Sequence, residues 1–216
     1  MIDIEVITPG TLHVITGGMK GHKTPALLYI FGNLQHTSKT TQLFKPECDY
    51  RKELHERYGH PRNYIVSRTG MALPAIEVDN KNPEDLLSKI NLKTDVIGIG
   101  EVTLFEKGDT LVEIILRLLE LGKGVVVDGL DRNFRGEPFH PMPTLLSYAT
   151  TVQKFYGRCD VKDCNQKGEY PQRIIDGKPA DYNSPLIVVG EYEIRCLKHH
   201  EVPGKPESNI KLITSS

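Results

Sequence analysis

The chain has 216 residues, 38% of them hydrophobic and 25% charged, with a formal net charge of −1. That length fits one α/β domain, or one such domain with a small appendage, and the charge balance argues against nucleic acid or an anionic membrane as partner. No apolar run approaches the roughly 18–20 residues of a membrane span, and Met1-Ile2-Asp3-Ile4-Glu5 lacks the basic flank and apolar core of a signal peptide. We therefore expect a cytoplasmic protein. Four cysteines in such a chain point to thiols or a metal site in a reducing compartment rather than to a disulfide framework.

Residues 12–16 read as a buried strand and 24–35 as a helix, with Leu27, Leu28, Phe31 and Leu34 at helical spacing. Between them lies Gly17-Gly18-Met19-Lys20-Gly21-His22-Lys23-Thr24. Strand, glycine-rich turn, Lys-Thr and helix is the order of a phosphate-binding loop, in which backbone N–H groups face an anion, the Lys reaches the terminal phosphates and the Thr ligates Mg²⁺. The pattern wants glycine where His22 stands. Gln42-Leu43-Phe44 reads as a short strand, residues 48–63 as a long loop or irregular helix, and Tyr64–Ser67 and Ile76–Val78 as strands. Asn82 is expected to cap a helix with Pro83 at its first position. Asp95–Glu101 is an apolar run ending in an acid. Residues 109–121 form an amphipathic helix stopped by Gly122-Lys123-Gly124, Val125-Val126-Val127 a strand covered on both faces, and residues 143–150 a helix. This alternation implies a parallel sheet with right-handed crossovers. After Thr151 helical periodicity disappears, turns are frequent, and Ile187–Val189 and Tyr192–Ile194 suggest short β pieces. We place a boundary near residue 153: a nucleotide-binding domain over 1–153, a small second unit over 154–204 and a tail over 205–216.

Three features carry chemistry. Cys159-x4-Cys164 and Cys196-x2-His199 are two ligand pairs on turn-like sequence, and four N/S ligands suit a structural, tetrahedral zinc. Such a small β unit has little core, so metal binding would supply folding free energy. His200 competes with His199 as the fourth ligand. Glu101, at the C-terminal tip of a buried strand, stands where ligands bind in α/β sheets and where a carboxylate can take a proton from a substrate hydroxyl. Residues 129–139, GLDRNFRGEPF, follow the central strand with more charge, aromatics and glycine than a connection needs, which reads as an active-site loop.

These stretches resemble the zinc-containing type II thymidine kinases. The resemblance rests on residues 129–139 with Pro141-Met142-Pro143, on Arg173 to Tyr182, on Val189-Gly190-Glu191-Tyr192, on Cys196 to Pro203, on Phe44 to Arg51 and on Ser67 to Pro74. It spans about residues 12 to 204. It implies a RecA-like phosphate-loop NTPase sheet with a small zinc-binding lasso domain, and transfer of the ATP γ-phosphoryl to the 5′-hydroxyl of thymidine or deoxyuridine with Mg²⁺. It also implies a homotetramer and inhibition by thymidine triphosphate; from the charge balance we expect no nucleic-acid or membrane partner. Carried over by position, residues 17–24 and Asp49 bind the nucleotide. Glu101 is the base, with Lys23 and Arg51 beside the transferred phosphoryl. Met19, Leu104, Leu130, Phe134 and Tyr192 line the base pocket, and backbone groups at Val188, Val189 and Gly190 read the pyrimidine edge.

The chain departs from this pattern at His22 (glycine in the family), Gly100 (an Asp that serves Mg²⁺), Leu104 (usually Phe) and the widened first cysteine pair. A left-handed backbone at a non-glycine residue costs of order 1–3 kcal/mol. Loss of the Asp leaves Thr24 and Asp49 to hold the ion. Two readings follow: a working kinase, or a nucleotide- or nucleoside-binding relative that has lost phosphoryl transfer.

Overall fold

The structure is a computed structural model that describes residues 3–188 and 190–207. Its centre is a six-stranded parallel sheet built from β1 (Leu12–Gly17), β2 (Thr41–Pro46), β5 (Ile76–Val78), β6 (Val96–Ile99), β7 (Gly124–Gly129) and β8 (Thr151–Phe155) in the order β5-β2-β6-β7-β1-β8. The short pair β3 (Tyr64–Val66) and β4 (Ala72–Pro74) stands apart as an antiparallel hairpin. Helices α1 (Lys23–Leu34), α2 (Lys52–Tyr58), α3 (Asp85–Lys89), α4 (Gly108–Glu120) and α5 (Met142–Tyr148) complete this part.

The central strands are apolar because both faces are covered. Along β7 the side chains alternate: Val125 and Val127 join one core with Leu111, Ile115 and Leu118 of α4, while Val126 joins the other with Leu27, Ile30 and Phe31 of α1. Gly98 of β6 lets α1 approach, since a Cβ there would sit 2.4 Å from Phe31 Cζ. The α4 stop at Gly122 is a Schellman motif. Gly122 N–H donates to Leu119 O (2.9 Å), Lys123 N–H donates to Leu118 O (3.0 Å), and Gly122 takes φ 72°.

From β1 the chain crosses over two strands through α1 to reach β2. The strand order therefore reverses beside β1, and the C-terminal ends of β1, β7 and β6 open toward one crevice. Open α/β sheets bind their ligands at such a switch point.

Beyond β8 the chain forms β9 (Gly157–Arg158) paired with β10 (Lys167–Gly168), and a three-stranded sheet β12-β11-β13 from β11 (Tyr170–Ile175), β12 (Lys178–Pro179) and β13 (Glu191–Arg195). β8 itself belongs to the large sheet, with Gly17 opposite Phe155, and so runs two residues past the boundary expected at 153.

Three local expectations are corrected. Residues 52–58 form a regular helix, ended by Gly59 at φ 70°. Asn82 and Pro83 do not open α3: their carbonyls accept from Asp85 N–H and Leu86 N–H (both 3.0 Å), a tight i→i+3 turn that delays α-helical bonding to Asp85. Ile187 and Val188 are not in a strand, because no neighbouring strand takes their backbone and Val188 O accepts instead from Tyr192 Oη at 3.1 Å. Val189 lies outside the described residues.

Candidate active site

The loop between β1 and α1 is shaped by its glycines. Gly17 takes φ 120°, and a Cβ on it would lie 1.7 Å from Phe155 O, so no other residue fits. A Cβ on Gly18 would lie 2.9 Å from Gly168 O, which brings the loop against β10. His22 adopts the left-handed conformation, φ 66° and ψ 23°, that the sequence pattern assigns to glycine, and makes no side-chain cap bond. Histidine is among the residues enriched there. The N-terminus of α1 thus faces the crevice with its free N–H groups. Lys23 is buried, and its Nζ donates to Gly18 O at 2.8 Å. Burial holds the Lys23 ammonium below its ordinary pKa, against the opposing pull of Glu101 and Asp128.

Facing the loop is a charge cluster carried by three strand ends. Arg51, just before α2, donates from Nη2 to Glu101 Oε1 (2.6 Å) and from Nε to Asp49 Oδ1 (3.1 Å). The Asp49 carboxylate beside it raises the Arg51 pKa, while burial pushes the Asp49 carboxyl up against Arg51's opposing charge. Glu101 sits two residues past the end of β6 in a left-handed conformation (φ 47°). Its N–H donates to Asp128 Oδ1 at 2.7 Å. Asp128, in β7, is 1% exposed and its Oδ2 has no hydrogen-bond partner. Burial, reinforced by the neighbouring Glu101 charge, raises the Asp128 carboxyl to about 7.

A cleft of about 500 Å³ joins these parts. Met19 to Thr24, Asp49, Arg51 and Glu101 form its polar side; Leu104, Leu130, Phe134, Val188, Gly190 and Tyr192 form its apolar side. All the expected site residues of these groups therefore meet there except Gly17 and Gly18, which shape the loop from behind, and Val189, which is not described. Sequence reasoning missed Tyr50, Arg68, Thr69 and Leu186 on the cleft wall, and the buried Asp128 that accepts from Glu101 N–H. Tyr50, Arg68 and Thr69 lie inside stretches that carried the family resemblance, and Asp128 carried a signal of its own: like Glu101, it is an acid at the end of an apolar strand.

The 129–139 loop bolts this cleft to the second unit. Arg132 stacks over Tyr170 (4.8 Å) and Arg135 over Tyr182 (4.5 Å), whose hydroxyl donates to Glu137 Oε1 (2.9 Å). In the second unit the ligand atoms of Cys159, Cys164, Cys196 and His199 lie within 4.8 Å of one another, a set able to hold a metal ion. His200 does not belong to it: its Nε2 hydrogen-bonds Phe134 O (2.9 Å) and its ring packs on Tyr170. Among the described residues no helix is long and apolar enough to cross a membrane.

A glycine-shaped loop ahead of α1, an acid–arginine cluster opposite it and a second unit with a Cys/His set able to hold a metal fit the phosphate-loop nucleotide-binding class. Sequence comparison narrows the class. The family described as thymidine kinase matches residues 10–200. A thymidine kinase of Coprothermobacter proteolyticus is 40% identical over 206 residues, covering 94% of this chain and 96% of the relative. The chain belongs to the thymidine kinase family, transferases that phosphorylate thymidine.

Proposed function

We propose that this protein transfers the γ-phosphoryl group of ATP to the 5′-hydroxyl of thymidine and of deoxyuridine, with Glu101 as the general base. The observation that carries this reading is the single cleft in which Lys23, Arg51 and Glu101 face Leu104, Phe134 and Tyr192. Phosphoryl transfer is chiefly positioning and charge neutralisation, with little covalent work for the protein. The loop amides and Lys23 cradle the phosphates; Thr24, with Asp49 through water, would hold Mg²⁺, which would supply neutralisation of their charge. Arg51 pins one oxygen of Glu101, which leaves Oε2 to accept the hydroxyl proton as the nucleophile advances. The Arg51 guanidinium lies beside that path and favours the charge that develops there. Met19, Leu104, Leu130, Phe134 and Tyr192 sandwich the base, and the backbone at Val188 and Gly190 offers donors and acceptors to the pyrimidine edge. Closure of that wall excludes water and so protects ATP from hydrolysis.

The metal of the second unit is zinc in this reading. Three thiolates and one imidazole suit it, and Zn–S bonds of about 2.3 Å set tetrahedral ligand separations near ~3.8 Å. Cys164 Sγ and Cys196 Sγ lie 4.0 Å apart, and His199 Nδ1 lies 3.5 and 3.4 Å from Cys159 Sγ and Cys196 Sγ. With four protein ligands the role is structural. The division into 1–153, 154–204 and 205–216, a homotetrameric assembly, inhibition by thymidine triphosphate and a cytoplasmic location belong to the same reading, supported by family membership.

The test is ATP-dependent formation of thymidine monophosphate by the zinc-loaded protein. Turnover should exceed that of Lys23→Ala by orders of magnitude, and equal rates would remove the proposal.

A further inference from the structure

We infer that Asp128 joins Thr24 and Asp49 in serving the nucleotide's Mg²⁺ in this protein, the strand-end duty having moved from beside β6 to the end of β7. The inference rests on the kinase reading above. In phosphate-loop proteins the ion is held by the loop Ser/Thr and by an Asp at the end of a neighbouring strand. Here the residue that follows β6 is Gly100, which has no side chain to offer. The next strand supplies one. β7 pairs in parallel with β6, Ile99 opposite Val127, which brings Gly100 and Asp128 level at the crevice edge. On its other side β7 pairs with β1, and Asp128 stands opposite Ile15, two residues before the phosphate loop begins at Gly17.

The side chains complete the exchange. A Cβ on Gly100 would lie 3.5 Å from Asp128 Oδ1, so the carboxylate already borders the space a side chain at position 100 would enter. Oδ1 is occupied by Glu101 N–H (2.7 Å), while Oδ2 is buried without a partner. Buried carboxylates are ordinarily paired, fully hydrogen-bonded or bound to a metal. Neither nearby protein cation answers Oδ2 directly: Lys23 donates to Gly18 O, and Arg51 to Glu101 and Asp49. A role limited to orienting Glu101 would use Oδ1 alone, and an uncharged amide would fill it equally well.

That difference supplies the test. Asp128→Asn keeps an acceptor for Glu101 N–H and removes the charge. The readout is Mn²⁺ affinity of the complex with a non-hydrolysable ATP analogue, measured by electron paramagnetic resonance, together with analogue affinity in the absence of metal. We expect Asp128→Asn to weaken Mn²⁺ binding about 10- to 100-fold and to leave metal-free analogue binding unchanged. Unchanged Mn²⁺ affinity would overturn the inference. The double variant Gly100→Asp/Asp128→Ala returns the acid to β6 and should bind Mn²⁺ as wild type does. Binding far tighter than wild type would mean that the native site lacked an acid, and would also overturn it. Wild-type protein that binds Mn²⁺ no better than free analogue does would remove the Mg²⁺ reading itself, an outcome distinct from both.

Discussion

His22 holds the turn into α1 in a left-handed conformation without being glycine. The phosphate cradle is made of backbone N–H groups, so what matters for ATP is the backbone path. His22→Gly should therefore leave the KM for ATP within about threefold of wild type. Strain relief of the order of 1 kcal/mol and the added chain entropy of glycine, also of that order, oppose each other, so the melting temperature should barely move. A tenfold fall in KM would show that the side chain obstructs the phosphate. Glu101 stands in a different relation to the proposed chemistry, in which it is the group that takes a proton. Glu101→Gln should lower kcat by about 10²- to 10⁴-fold with little change in thymidine binding, as single-turnover and equilibrium binding measurements would show. Loss of binding in parallel would reassign Glu101 to substrate positioning.

At the scale of elements, the edge contact between β1 and β8 carries a titratable group. His13 is buried on β1, between Thr151 Oγ1 (2.7 Å) and Thr11 Oγ1 (2.9 Å). Burial, with Lys39 nearby, lowers its pKa below the ordinary value of 6.5. The folded state thus favours the neutral ring. This contribution is whole above pH 6.5 and is lost as pH falls below it, where the unfolded chain binds the extra proton. Between pH 7.5 and 5.5 the wild-type melting temperature should fall further than that of His13→Gln, by something of the order of 2 °C. Equal falls would show that the ring ionises freely in place. The second such element is the unit beyond β8 with its proposed metal site, which has few apolar residues of its own: Ile194 and Ala180 are among its buried members. Cys196→Ser should release the metal, and circular dichroism and limited proteolysis should show loss of order confined to the residues beyond β8.

At the scale of the molecule, the cleft has two owners. The sheet side supplies Lys23, Arg51 and Glu101, whereas the module supplies Val188, Gly190 and Tyr192 on the apolar side proposed to take the base. The 129–139 loop joins them through Arg132 on Tyr170 and Arg135 on Tyr182. Chelation should therefore divide the two affinities. Thymidine binding should fall more than tenfold by calorimetry, while an ATP analogue binds within about threefold of its original affinity. Parallel loss of both would show that the module supports the sheet itself.

The chain alone determined the sheet architecture, the phosphate loop, the acid at Glu101 and the ligand pairs, because each is a local pattern: apolar runs of strand length, glycine where backbone must turn, paired thiols on turns. The boundaries of α2 and α3 and the unpaired backbone at 187–188 were not legible, since turn tightness and the presence of a partner strand are decided outside the segment. The choice between His199 and His200 was likewise tertiary. Both have the spacing, but Phe134 O and Tyr170 claim His200. Gly100 shows the limit most plainly. In the sequence it is an acid missing from its strand. Only strand pairing, which sets residue 128 beside residue 100 across 27 intervening positions, reveals that the neighbouring strand brings a carboxylate to the same place.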